Sequence, residues 1–297
     1  MLPILRASQR RLRPGSRVAI VSPSSGAPEL FPHVHDLAMQ RLQSELQLIL
    51  VEYPTTRQVG ATPRERAADL NAAFSDASIE AIMATIGGDK LPFLDSGMIA
   101  KNPKPFIGYS DNTNLLNYLW NDNGGNFELH PVSEFSEDEQ SWNDAAWSNP
   151  NGPQPSPRQA STGRHLHQPD RAITSPIWGG NLETLNWNLA ANQMSSAAYV
   201  FRTLRNAGER GLLAQFSAVL VGRPKASNIE IQPTSEQRMQ YRQEQREAIL
   251  KAFSYYNPDA MNAFDVDFGH TDPQWILPYG GMITVSGPQR PIIAHFG

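Results

Sequence analysis

The first 120 residues alternate short apolar runs with segments of helical spacing. Arg17–Ser22 reads as a strand that ends in a Ser/Pro/Gly turn, and Leu48–Tyr53, Ala81–Ile86 and Pro105–Gly108 repeat that apolar character at strand length. Between them, the segment His35–Leu46 has helical spacing. Pro63–Phe74 reads as a helix with Ala67, Leu70 and Phe74 inside and Arg64, Arg66 and Asp69 outside. A further helix is predicted from Asn112 to Trp120. Strands and helices alternating at this spacing predict an α/β fold whose mostly parallel sheet is covered on both faces.

Sites in such sheets lie beyond the carboxyl ends of the strands. That rule singles out three loops: Ser22–Gly26, Gly87–Asp89 and Tyr109–Asp111. Asp122–Arg171 breaks the pattern with many Asn, Ser, Pro and Gly residues, and is expected to be a connection with functional loops. Beyond it, Trp178–Ala191 and Ser235–Phe253 have helical character, and Ser217–Val221, Asp265–Gly269 and Met282–Ser286 are predicted strands. The expected organisation is an α/β domain at 1–121, linker and active-site loops at 122–171, and a carboxyl-terminal domain at 172–297.

Composition narrows the chemistry. The chain has 297 residues, no cysteine and a formal net charge of −4. Thiol nucleophiles, disulfide frameworks and cysteine-held metals are therefore excluded, and covalent catalysis must use oxygen or nitrogen. No basic footprint for a nucleic-acid polymer or an anionic membrane is present, so a small-molecule or peptide substrate is expected. No apolar run reaches the ~20 residues that a membrane span needs. The expected location is cytoplasmic.

Ser110 stands between a strand and a helix, where a turn presents its hydroxyl at the sheet edge. There the Asp111 amide and the positive end of the helix can stabilise an oxyanion. The segment resembles a nucleophile elbow, with Asn112 in place of the final glycine of G-x-S-x-G. Capping is the competing reading, because Ser110-Asp-Asn-Thr113 also suits a helix start. Gly87-Gly88-Asp89 can bring a second backbone donor to a reacting carbonyl or can be an ordinary tight turn; it matches no phosphate-loop pattern.

A base must come from among seven histidines. His33 and His35 flank a helix start, and His165 and His167 lie in a polar loop without carboxylates at ligand spacing, so no metal is expected. His270, after Phe268-Gly269, ends a predicted strand in the second half of the chain.

Together these segments acquire an identity. Ala84-Thr-Ile-Gly-Gly-Asp89, Phe106-Ile-Gly-Tyr-Ser-Asp-Asn-Thr113, Pro176-Ile-Trp-Gly-Gly-Asn-Leu-Glu183 and Phe268-Gly-His270 resemble, in order, the motifs of LD-carboxypeptidases. Leu204–Gly211 and Ala218–Lys225 look more like the microcin C self-immunity branch. The resemblance implies a Ser-His-Glu triad with Ser110 as nucleophile, His270 as base, and an oxyanion hole from the Gly88 and Asp111 amides. It also implies an amino-terminal α/β domain carrying the serine, a smaller β-rich carboxyl-terminal domain, no cofactor and a homodimer. The implied partner is a small substrate, either a murein peptide or a peptidyl- or aminoacyl-nucleotide, with Trp178, Trp147 or Trp142 stacking on a base.

The chain departs from the family pattern by being short after Asp89, Trp120 and Gln193. The strand that carries the family glutamate has no counterpart between Asn188 and Arg202, and Glu183 lies in the wrong segment to replace it. Either the polypeptide continues through these points, as the cost of unpaired strand edges suggests, or it is a catalytically impaired relative that binds ligand.

Overall fold

A computed structural model of the protein describes residues 12–87, 93–108, 110, 112–123, 165–167, 170–180, 196–224, 226, 233–269, 277–287 and 292–295. Four parallel strands form the amino-terminal sheet: β1 (Arg17–Val21), β2 (Ile49–Glu52), β3 (Ala81–Ala84) and β4 (Phe106–Ile107), in the order β2-β1-β3-β4. β1 is central and nearly continuous in apolar residues because both its faces are covered. Its alternate side chains feed two cores. Val18 and Ile20 meet Leu48, Met39 and Leu42 on one face, the side of helix α2 (Pro32–Ser44), which follows the short α1 (Ala27–Leu30).

Ala19 and Val21 pack on the other face against Leu70, Ala73 and Phe74 of α3 (Pro63–Ser75). Ile99 of α4 (Ser96–Lys101) and Leu115, Leu116 and Leu119 of α5 (Asn112–Asn123) complete that core. The α3 start is set locally. Thr62 accepts from the Glu65 N–H while the Glu65 carboxylate accepts from Thr62, and Pro63 needs no donor in the first turn.

Arg66 and Asp69 are not on the solvent side of α3 as expected, being only 4% and 7% exposed. A helical wheel puts them outside, but a loop lies over that face. Asp69 Oδ2 accepts from the Thr55 N–H at 2.6 Å and the Thr55 hydroxyl at 2.7 Å, while Arg66 donates to loop carbonyls described below.

The remaining strands are β5 (His165–His167), β6 (Ala172–Pro176), β7 (Ala218–Gly222), β8 (Met261–Val266), β9 (Met282–Ser286) and β10 (Ile292–His295). β8 runs parallel to β7 and antiparallel to β5; β9 pairs antiparallel with β6 and β10. Helices α6 (Ala197–Glu209) and α7 (Ser235–Tyr256) pack together through Val200, Ala248, Ile249 and Phe253. The separate carboxyl-terminal domain is thus rich in antiparallel pairs. His165–His167, inside the expected 122–171 connection, pairs with its sheet.

Two expectations shift here. The predicted strand at Asp265–Gly269 begins earlier, at Met261, and stops at Val266, where the Phe268 N–H closes a tight turn onto the Val266 carbonyl at 2.8 Å. Gly269, at φ 102°, then turns the chain away. Within the predicted Trp178–Ala191 helix, Trp178–Gly180 are not helical, and residues 181–191 lie outside the described ones.

Candidate active site

The order β2-β1-β3-β4 reverses direction between β1 and β3, which opens a crevice beyond their carboxyl ends. The loops leaving these strands are stitched there. The Ser22 hydroxyl donates to the Thr56 carbonyl at 2.7 Å and lies 2.7 Å from the Thr85 hydroxyl. Arg66 then spends its guanidinium on main-chain oxygens: Ser22 at 2.9 Å, Gln58 at 2.5 Å, Val59 at 3.1 Å and, through Nε, Ala61 at 3.2 Å. The loops after β1 and β2 thereby become one unit. Gly26 is required in it, since a Cβ there would stand 2.2 Å from the Gln58 carbonyl carbon.

Ser110 occupies the turn from β4 to α5 at φ 60°, one of three non-glycine positive-φ residues among those described. Capping residues are extended, and α5 starts at Asn112, so the conformation and position both depart from the capping reading. A left-handed non-glycine residue costs of order 1–3 kcal/mol and persists where its surroundings fix it. Here the Thr113 N–H and hydroxyl both donate to the Ser110 carbonyl, at 3.0 and 2.7 Å. The Asn112 amide reaches back to the Ile86 carbonyl at 3.0 Å.

Trp178 follows β6 and is brought to the same corner. The Ile177 N–H donates to Gly281 and the Gly280 N–H to Ile177. Beside this pair Tyr279 is buried, which raises its phenol pKa, against a smaller opposing effect of a hydrogen bond from the Gly179 backbone. Gly180, at φ 148°, lies against α5: a Cβ there would come within 2.2 Å of Thr113 Cγ2. Trp178, two residues before this contact, stacks on Phe216 with ring centroids 6.2 Å apart and planes 6° from parallel, and stays 42% exposed.

The Thr113–Gly180 contact therefore joins the start of α5, which follows Ser110, to the loop that carries Trp178. Gly88, Asp111, His270, Trp142 and Trp147 lie outside the described residues, as do Asp89 and Gln193, where the chain is short. Among the other histidines, His35 is buried beside Glu52, 3.4 Å away, on the α2 side of the sheet. His167 lies exposed on β5. No group of three metal-ligating side chains occurs among the described residues, and none of their helices is long and apolar enough to cross a membrane.

Arg66, Asn112 and Thr113 escaped sequence reasoning as site-shaping residues. Only Thr113 and Asn112 carried a signal, as helix-start residues. One carboxylate also emerges: Asp267, fully buried three residues before His270, ion-paired to Arg223 at 2.7 Å through Oδ1, with no hydrogen-bond partner for Oδ2 among the described residues.

Comparison with known proteins agrees with this architecture. The profile of the LD-carboxypeptidase N-terminal domain matches residues 18–130, and that of the LD-carboxypeptidase C-terminal domain matches 174–285. A protein of Treponema pallidum provisionally named a carboxypeptidase is 26% identical over 328 aligned positions, covering 93% of this chain and 91% of that protein. That alignment is longer than the 297-residue chain, so it opens gaps in it. The microcin C7 self-immunity protein of Escherichia coli is 51% identical over 59 residues, 18% of this chain and 17% of that protein.

Among solved structures, the microcin C7 self-immunity protein in complex with aspartyl sulfamoyl adenosine superposes with a TM-score of 0.78 at 19% identity, over 98% of this chain and 99% of that one. A similar protein from Bacillus anthracis gives 0.72 at 21%, over 97% and 99%. These likenesses show a common fold. With both halves matched by the family profiles, the chain belongs to the LD-carboxypeptidase family.

Proposed function

We propose that the protein is a metal-free serine peptidase or amidase that cleaves a bond next to a carboxyl-terminal group. The observation that carries this reading is the left-handed Ser110, at φ 60°, on the turn from β4 to α5. Ser110 Oγ attacks the carbonyl carbon while its proton passes to His270, and the carbonyl electrons move onto oxygen between the Gly88 and Asp111 amides. Collapse of that intermediate breaks the bond to the leaving group, which takes the proton from His270. Water then releases the acyl group from Ser110 by the same two steps. No carboxylate is assigned to orient His270.

Within this reaction class we favour a peptidyl- or aminoacyl-nucleotide over a murein peptide. Support comes from the exposed, stacked Trp178 beside the serine turn, a flat apolar surface suited to a nucleobase. Relatives of the same fold have been solved with aspartyl sulfamoyl adenosine and with glutamyl sulfamoyl guanosine. Trp142 and Trp147 remain proposed contacts, and a homodimer in the cytoplasm the proposed setting. Ser110→Ala is expected to abolish turnover with folding intact; undiminished hydrolysis of an aminoacyl-sulfamoyl adenosine and of a murein tetrapeptide would overturn the assignment.

A second reading follows from the missing glutamate strand: a family member that binds ligand without cleaving it. Binding of either probe by the native chain, with no product formed, would establish it.

A further inference from the structure

Beyond Ala84, the last residue of β3, the chain bends through Thr85 and Ile86 to the buried Gly87. The Ile86 carbonyl no longer has a place in the sheet. Its acceptor is met by the Asn112 Nδ2–H at 3.0 Å, from a side chain whose residue is 1% exposed and stands two positions after Ser110. Gly108, two positions before Ser110, closes on the same amide: a Cβ there would come within 3.0 Å of both Asn112 Cγ and Nδ2. One carboxamide is thus wedged between the end of β4 and the loop after β3, while its own backbone opens α5.

We propose that Asn112 is a positioning residue that fixes the loop leaving β3 at Gly87 against the Ser110 turn. This rests on the reading of Ser110 as the nucleophile. Two backbone donors from separate loops can hold one developing oxyanion only if the loops keep a set spacing, and misplacement by about 1 Å can cost ~100-fold in rate. The Nδ2 hydrogen bond is a side-chain link between those loops. It acts on the transition state rather than on ground-state binding, so its loss should lower kcat and leave KM in place.

Asn112→Leu keeps the size and removes the donor. In the full-length protein, kcat should fall about 10- to 100-fold with KM within about threefold, and amide hydrogen exchange at Thr85–Gly87 should quicken while that at Ala67–Phe74 does not. Unchanged exchange at Thr85–Gly87, or a raised KM with kcat preserved, would overturn the proposal. Should the Leu variant fail to fold, Gly108→Ala presses on the same amide and is read in the same two ways. Turnover that survives in Ser110→Ala would remove the nucleophile instead, and the exchange measurement would then decide the role of Asn112 by itself.

Discussion

At Arg66, five main-chain oxygens from two loops, that of Thr55 at 3.5 Å besides the four named above, surround one guanidinium, and the residue is 4% exposed. Removing it takes a donor from each of these carbonyls, of which that of Ser22 is fully buried, at a loss of about 1 kcal/mol or more for a buried one and less for the others. Arg66→Ala is therefore expected to destabilise the protein by roughly 3 kcal/mol in urea unfolding. Arg66→Lys should recover only part of this, since an ammonium cannot span the fork. Neither residue nor partner was legible beforehand: the helical spacing of Ala67, Leu70 and Phe74 puts Arg66 outside, and only a loop folding back from β2 reverses that. Ser110 was legible as a candidate and ambiguous between cap and elbow. Its left-handed backbone conformation, which no spacing rule reports, is not that of an N-cap residue.

Elements differed in how openly the chain declared them. β1 and α3 were plain, the first as an unbroken apolar run and the second as a periodic stripe behind Thr62-Pro63. β5, β6 and β10 were not, because strands of three to five residues owe their existence to partners distant in sequence. α2 and β2 carry a pH-dependent contact. Burial lowers the pKa of His35 from its usual 6.5, with Glu52 opposing and Arg57 assisting, and Arg57 holds Glu52 below its usual 4.5. Since the unfolded chain protonates His35 first, stability should decline as pH falls from 6.5 through the lower folded value; the Glu52 contribution is lost below 4.5. In His35→Leu the first of these slopes should vanish from thermal unfolding curves, and its persistence would assign it elsewhere.

At the scale of the whole molecule, the sheet reversal was legible and points to the loops that carry Ser22 and Ser110, while the contact that joins the Ser110 turn to the Trp178 loop was invisible in sequence. Thr113 and Gly180 are 67 positions apart, and a Gly-Gly pair announces a turn without saying what it touches. Gly180→Ala forces a Cβ into Thr113, so it should weaken nucleotide-linked substrates more than simple activated esters, measured as the ratio of their kcat/KM values. The ligand itself distinguishes the substrate classes. With Ser110→Ala, aminoacyl-sulfamoyl adenosine at about 100 times its Kd should add roughly 2.7 kcal/mol to stability, and a murein tetrapeptide at the same concentration less.

The Arg66 clamp also bears on how this crevice can change. Because the guanidinium grips the Ser22 carbonyl, while the Ser22 hydroxyl and Gly26 join the same loop to the one after β2, the course of the loop after β1 is set at those two positions and not by the side chains between them. Ser24 and Ser25, both part-exposed on that loop, are accordingly free to vary in chemistry on a backbone that stays put. A library randomised at those two positions would explore new selectivities without also exploring new folds.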